Sequence, residues 1–82
     1  MARVILTGGL TRHLTGGKTE FEVDAKNVRA LIRELDARYP GLGPQLESEM
    51  SVAIDGEIHN EPFLQPVAPA SEVCFVPRLR GG

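Results

Sequence analysis

The sequence is poor in the residues on which several kinds of functional site depend. It contains one cysteine, Cys74, no tryptophan, three phenylalanines and one tyrosine. A single cysteine excludes an internal disulfide and a metal site built from several cysteines. So few aromatic side chains are unsuited to stacking nucleic-acid bases, and a net charge of −2 offers no basic surface for phosphates. We therefore expect no nucleic-acid partner.

Long hydrophobic runs are also missing. The longest run near the start is Val4, Ile5 and Leu6, which is far too short for a signal peptide or a membrane span. We expect a cytoplasmic protein that does not associate with membranes. At 82 residues, with 41% of them hydrophobic, the chain makes one domain at most, and its core is small.

Residues that could form a catalytic set are scarce. His13 and His59 are the only histidines, and we interpret both as surface or turn residues. With no third ligand in sight, a zinc site is unsupported. Cys74 is interpreted as a small strand residue without chemistry, because no histidine or second cysteine is evident to activate it. The chain is predicted not to be an enzyme and to bind no metal or cofactor itself.

Alternating hydrophobic residues predict strands in both halves of the chain. The strands are expected at residues 2–7, 18–24, 50–55, 57–59 and 72–76. In the last of these, Val73 and Phe75 should point inward, and Cys74 and Val76 should point to the opposite face. A two-residue turn at Asp55 and Gly56 should join the third and fourth strands into a hairpin. Residues 8–17 are predicted to be a long hairpin connection, and residues 60–71 an ordered loop.

One helix is clear from the pattern. Asn27 is a favourable N-cap residue. The apolar residues that follow recur at helical spacing and make a single stripe: Val28, Leu31, Ile32, Leu35 and Tyr39. Pro40 and Gly41 should end the helix. Residues 41–49 are predicted to be a loop with at most a short helical turn near residues 45–48.

The order of these elements predicts an α+β fold. It is strand, strand, helix, strand, short strand, strand, with the last strand expected beside the first. A mixed sheet of four to five strands with one main helix on one face is the layout of the β-grasp, or ubiquitin-like, fold. Residues 1–76 should form this domain, and residues 77–82 a flexible C-terminal tail.

The tail ends in Gly81 and Gly82. Glycine has no β-carbon, so this pair can lie extended in a channel too narrow for other residues. The terminal carboxylate is also unhindered. Both properties are typical of a protein whose C-terminus is itself a reactant.

Three segments carry a resemblance to a known family. They are the helix end at residues 35–42 (LDARYPGL), the hairpin at residues 52–58 (VAIDGEI), and the final strand at residues 72–77 (EVCFVP) that leads to the two glycines. Together they resemble the ubiquitin-like sulfur carriers, which include molybdopterin synthase small subunits and thiamine sulfur carriers. The loop ending in residues 14–17 (LTGG) is most similar to carriers of the cysteine-biosynthesis type.

The resemblance implies a chemistry at the C-terminus. An E1-like adenylyltransferase would use ATP to adenylate Gly82, and sulfide or a persulfide would convert the adenylate to a thiocarboxylate. A sulfur-accepting synthase or similar enzyme would then take the sulfur, and a metalloprotease is a further candidate partner that would trim the tail. The tail residues expected to thread the partner's channel are Arg78, Leu79, Arg80 and Gly81. The residues expected to form an apolar docking face are Ile5, Cys74 and Val76.

Two other interpretations stay open. Residues 79–82 (LRGG) repeat the ending of ubiquitin itself, so the chain could be a protein modifier that is conjugated to lysines through Gly82. Alternatively, it could be a plain β-grasp interaction module in which the terminal glycines are incidental.

Overall fold

The computed structural model describes residues 1–7, 9, 12–59 and 62–77. Within these residues the elements are, in chain order, β1 (Ala2–Leu6), α1 (Arg12–Thr15), β2 (Glu20–Val23), α2 (Val28–Arg38), α3 (Leu42–Glu49), β3 (Met50–Ile54), β4 (Glu57–His59) and β5 (Glu72–Pro77). The strands form one mixed sheet in the order β2-β1-β5-β3-β4. This confirms the predicted α+β architecture.

The last strand lies in the middle of the sheet. β5 runs parallel to β1, with Phe75 opposite Leu6, and antiparallel to β3, with Phe75 opposite Val52. Val73 and Phe75 are fully buried, as their place in the alternating pattern predicts. Because β5 is hydrogen-bonded on both sides and buries one face, the base of the C-terminal tail is firmly attached to the core.

Helix α2 forms as its sequence pattern predicts. The side chain of Asn27 caps it by accepting a hydrogen bond from the Ala30 amide at 2.8 Å. The apolar stripe faces the sheet, and four of its members are buried: Val28, Leu31, Ile32 and Leu35. The helix ends at Arg38, and the amide of the C-cap residue Tyr39 donates to the Leu35 carbonyl at 2.8 Å.

The prediction of a loop at residues 41–49 is wrong, because α3 occupies almost all of that segment. Its N-cap, Gly41, has φ 98° and no side chain with which to cap the helix. The cap comes instead from α2, where the Asp36 carboxylate accepts hydrogen bonds from the amides of Gly41 and Gly43 at 3.1 and 3.0 Å. Pro44 lies in the first turn, where its missing N–H costs nothing.

Smaller differences lie at the strand ends and in the first connection. The helical turn α1 lies in the connection between β1 and β2, which was predicted to be a plain hairpin loop. β2 begins at Glu20 rather than at residue 18, and β5 continues to Pro77. The turn between β3 and β4 is confirmed, since Asp55 and Gly56 both have positive φ, at 50° and 87°. Of the loop at residues 60–71, residues 60 and 61 lie outside the described part of the chain.

None of the helices in the described ranges is long and apolar enough to cross a lipid bilayer.

Candidate functional site

The predicted reacting end of the protein begins where β5 ends. Pro77, the last described residue, is the register partner of Met50, the first residue of β3. On the other side of β5, the amide and the hydroxyl of Thr7 both donate to the Phe75 carbonyl at 2.9 Å. The tail residues named above lie outside the described residues: Arg78, Leu79, Arg80, Gly81 and Gly82.

The sheet face opposite the helices, called the open face below, has an apolar row across its middle. Ile5 is opposite Cys74, Cys74 is opposite Ala53, and Ala53 is opposite Ile58. Ile5, Cys74 and Ala53 are half-buried, whereas Ile58 on the edge strand is 64% exposed. The row therefore presents continuous apolar surface across four strands.

The structure brings together the residues predicted for a docking face. Ile5 and Cys74 are direct register partners, and Val76 lies two residues further along β5, opposite Ser51. Whether a partner docks there stays a prediction. Sequence reasoning missed Ala53 and Ile58. A signal for them was present, because a two-residue turn at residues 55–56 sets the hairpin register and makes residues 53 and 58 partners.

Charged side chains occupy the end of the open face that is remote from the tail. Arg3 lies opposite Glu22 on one neighbouring strand and opposite Glu72 on the other. Its guanidinium donates to the Glu20 carboxylate at 2.8 Å and lies 4.0 Å from that of Glu72. The hydrogen bond to Glu20 and the charges of Glu20 and Glu72 raise the pKa of Arg3.

The surroundings of Cys74 favour the protonated thiol. Partial burial, and to a lesser degree the charge of Glu72, raise the pKa of its thiol above the ordinary value. A raised pKa leaves less thiolate, which is the reactive form. This agrees with the interpretation of Cys74 as a strand residue without chemistry.

No group of three or more histidine, cysteine, aspartate or glutamate side chains among the described residues could hold a metal ion. His13 lies exposed on α1, and His59 lies half-buried on β4, opposite Val52.

Comparison with known proteins identifies the family. The family model described as the ThiS family matches residues 6–82. The chain belongs to the ThiS family. The match begins within β1 and includes the whole C-terminal tail, so it covers both the sheet and the two terminal glycines. The predicted membership of the ubiquitin-like sulfur-carrier family is thereby confirmed.

Solved structures of other proteins show the same fold. One is a chain of the BexX/CysO complex of Amycolatopsis orientalis. Its TM-score is 0.83 and its identity 20%, and the match covers 100% of this chain and 100% of that chain. Another is CysO of Mycobacterium tuberculosis, with a TM-score of 0.84 and 18% identity over 96% of this chain and 100% of the other. The small archaeal modifier protein 1 of Methanosarcina acetivorans has a TM-score of 0.78 and 20% identity over 99% and 95% of the two chains.

These similarities confirm the β-grasp fold of this ThiS-family chain. Among curated protein sequences, none is significantly similar to it.

Proposed function

We propose that this protein is a sulfur carrier of the cytoplasm whose C-terminal Gly82 is adenylated by a partner enzyme and then converted to a thiocarboxylate. The observation that carries the proposal is the family match, which extends through Gly82. The position of β5 supports it as well. β5, which precedes the last five residues, is held between β1 and β3.

The proposed reaction has two steps. A carboxylate oxygen of Gly82 attacks the α-phosphorus of ATP, and pyrophosphate leaves with the bonding electrons. Sulfide then attacks the carbonyl carbon of the acyl-adenylate, the C–O bond to AMP breaks, and a thiocarboxylate remains. If a persulfide supplies the sulfur, the product is an acyl disulfide, whose S–S bond a thiol must cleave. A sulfur-accepting synthase then takes the sulfur.

The folded body has a binding role in this proposal, and the partners supply the catalytic groups. The open face would dock through Ile5, Cys74 and Val76, joined by Ala53 and Ile58. Apolar surface of this kind gains free energy when a partner removes it from water. The tail residues Arg78 to Gly81 would then enter the partner's channel. A partner complex is known for one protein of this fold, the BexX/CysO complex.

The experiment that tests the proposal uses the full chain and the E1-like adenylyltransferase of the same organism. Wild-type protein should support ATP–pyrophosphate exchange, and deletion of Gly82 should abolish it. With sulfide present, the intact protein should become heavier by the mass difference between sulfur and oxygen. Exchange that survives the deletion would refute Gly82 as the reacting residue. Failure of sulfide to change the mass of an adenylated chain would refute the carrier role.

A second candidate function is protein modification through Gly82. Two observations favour it, namely the ending in residues 79–82 (LRGG) and the structural similarity to the small archaeal modifier protein 1. In this case a lysine amine attacks the adenylated carbonyl carbon, directly or after transfer to a thiol, and an isopeptide bond forms. Protease digests of cell extract should then contain lysines that carry a remnant of the tail. Their absence in cells that make the protein would refute this role.

A further inference from the structure

The charges of the open face are separated along the strands. At one end, Arg3 lies opposite Glu22 on β2 and Glu72 on β5, and its guanidinium also pairs with the carboxylate of Glu20, which stands opposite Ile5. We call these four residues the acidic end, because they hold three carboxylates and one guanidinium. The basic residues Lys18 and Arg38 line the groove along β2 beside them. The apolar row from Ile5 to Ile58 lies beside it.

The acidic end contributes little to the stability of the fold. The side chains of Arg3, Glu20 and Glu72 are 55%, 59% and 54% exposed. Ion pairs this exposed are screened by water and salt and add little to folding. Like charges gathered on adjacent strands also oppose one another. Their concentration at one place is therefore better explained by binding than by stability.

The other end of the open face has a different character. There the strands contribute Val76 and Ser51, next to the point where the tail begins. Among the described strand residues of this face, no carboxylate lies at that end. From Glu72 to Val76 the chain advances about 13 Å, at roughly 3.3 Å per residue, so the two ends are separate parts of one docking surface.

The separation of the acidic end from the tail end can fix the direction in which a partner docks. Apolar contact is not directional, and the apolar row crosses the sheet at right angles to the strands. The row alone would allow a partner to dock in either of two opposite directions. A charged group at one end of the surface removes this ambiguity, because electrostatic complementarity fixes the register of an interface.

The direction of the separation fits a partner that binds ATP. The tail must reach the α-phosphate, and the phosphates of ATP repel carboxylates. In this protein the carboxylates of the open face lie at the end away from the tail. A partner that holds ATP at the tail end can therefore place basic side chains opposite the acidic end without any conflict of charge.

We propose that the acidic end orients the activating enzyme, which places basic side chains opposite it. The apolar row, which lies between the acidic end and the start of the tail, contacts the same enzyme. This inference rests on the proposed function, since it assumes an adenylating partner.

The test measures ATP–pyrophosphate exchange by the activating enzyme as the concentration of the carrier is varied. The double variant E22K/E72K reverses two charges of the acidic end. Its KM should rise about tenfold or more at low salt with kcat nearly unchanged, because steering and docking weaken while the tail chemistry is intact. The difference from wild type should shrink toward about 1 M salt, where the Debye length is only about 3 Å.

Two controls separate this effect from net charge and from misfolding. The double variant E34K/E47K makes the same change of charge on the exposed surfaces of α2 and α3, and its KM should stay near that of wild type. At the tail end, S51E adds a carboxylate to the docking surface and should raise KM more than S51Q, which adds a neutral side chain of similar size. Circular dichroism spectra and melting curves should show that all four variants are folded.

The outcomes distinguish the inference from the proposed function. If wild type is adenylated but E22K/E72K has a KM within twofold of it, the orienting contact is overturned and the carrier function stands. The inference is also overturned if E34K/E47K shows the same loss as E22K/E72K. If wild type is not adenylated at all, the proposed function fails, and the inference fails with it.

Discussion

Replacement of Asp36 by alanine should destabilise the domain by about 2 kcal/mol. The Asp36 carboxylate accepts two hydrogen bonds from the amides that begin α3, at 3.1 Å from Gly41 and 3.0 Å from Gly43. A hydrogen bond to a charged group contributes about 1.5–3 kcal/mol when shielded and less when exposed. One of these two bonds is exposed and the other partly buried. The usual cost of losing a helix cap, about 0.5–2 kcal/mol, agrees with the expected loss of about 2 kcal/mol.

The surroundings of Asp36 offer no replacement for the two hydrogen bonds that D36A removes. Gly41 has no side chain with which to cap the helix. The place is also tightly packed, because a β-carbon on Gly43 would lie 3.0 Å from that of Asp36. α3 leads directly into β3, whose first residue, Met50, pairs with Pro77 at the base of the tail. Loosening of α3 should therefore also weaken the attachment of the tail.

Urea unfolding followed by circular dichroism measures the effect. For a domain of this size, about 2 kcal/mol corresponds to a fall in melting temperature of roughly 8–16 °C. D36N keeps one acceptor oxygen without the charge and should lose about half as much. D24A removes an exposed aspartate that precedes α2 and serves as the control. If D36A and D24A unfold within about 0.3 kcal/mol of each other, the assigned cap has no energetic role, and our account of why α3 forms is refuted.

Three further predictions concern β5 and the hairpin. F75A removes a fully buried ring and should cost about 3–5 kcal/mol; a melting temperature within about 5 °C of wild type would contradict its central place in the core. G56A introduces a β-carbon at φ 87° and should cost about 1–2 kcal/mol, measured by urea unfolding; an unchanged midpoint would refute the strain. Because the folded pKa of the Cys74 thiol is raised, the native state holds its proton more tightly, so unfolding free energy should fall as the pH rises above the ordinary thiol pKa of about 8.5. C74A should lack the part of this decline that the thiol causes. Identical pH profiles of the unfolding free energy in C74A and wild type would contradict the raised pKa.

Much of the fold is predictable because its signals are local. Alternation in β1 and β5 identifies which residues face the core, and the stripe that begins at Val28 identifies α2. The turn at Asp55 and Gly56 is equally clear, since positive φ is favoured there by the residues themselves. Helix α3 is not predictable in this way. Its cap is supplied by Asp36, six residues before the first residue of the helix, and only the packing of two helices brings the carboxylate to the amides of Gly41 and Gly43.

The sequence by itself supplies the glycine pair at residues 81 and 82 and determines the face to which each strand residue belongs. A terminal glycine pair is a property of the covalent chain, and the facing of Cys74 and Val76 follows from the period of two along a strand. Only the tertiary structure decides which strands become neighbours. β1 and β5 are about seventy residues apart in the chain, yet their pairing places Ile5 beside Cys74 and Arg3 beside Glu72. The apolar row and the acidic end exist because of that register, which long-range packing selects and no local pattern encodes.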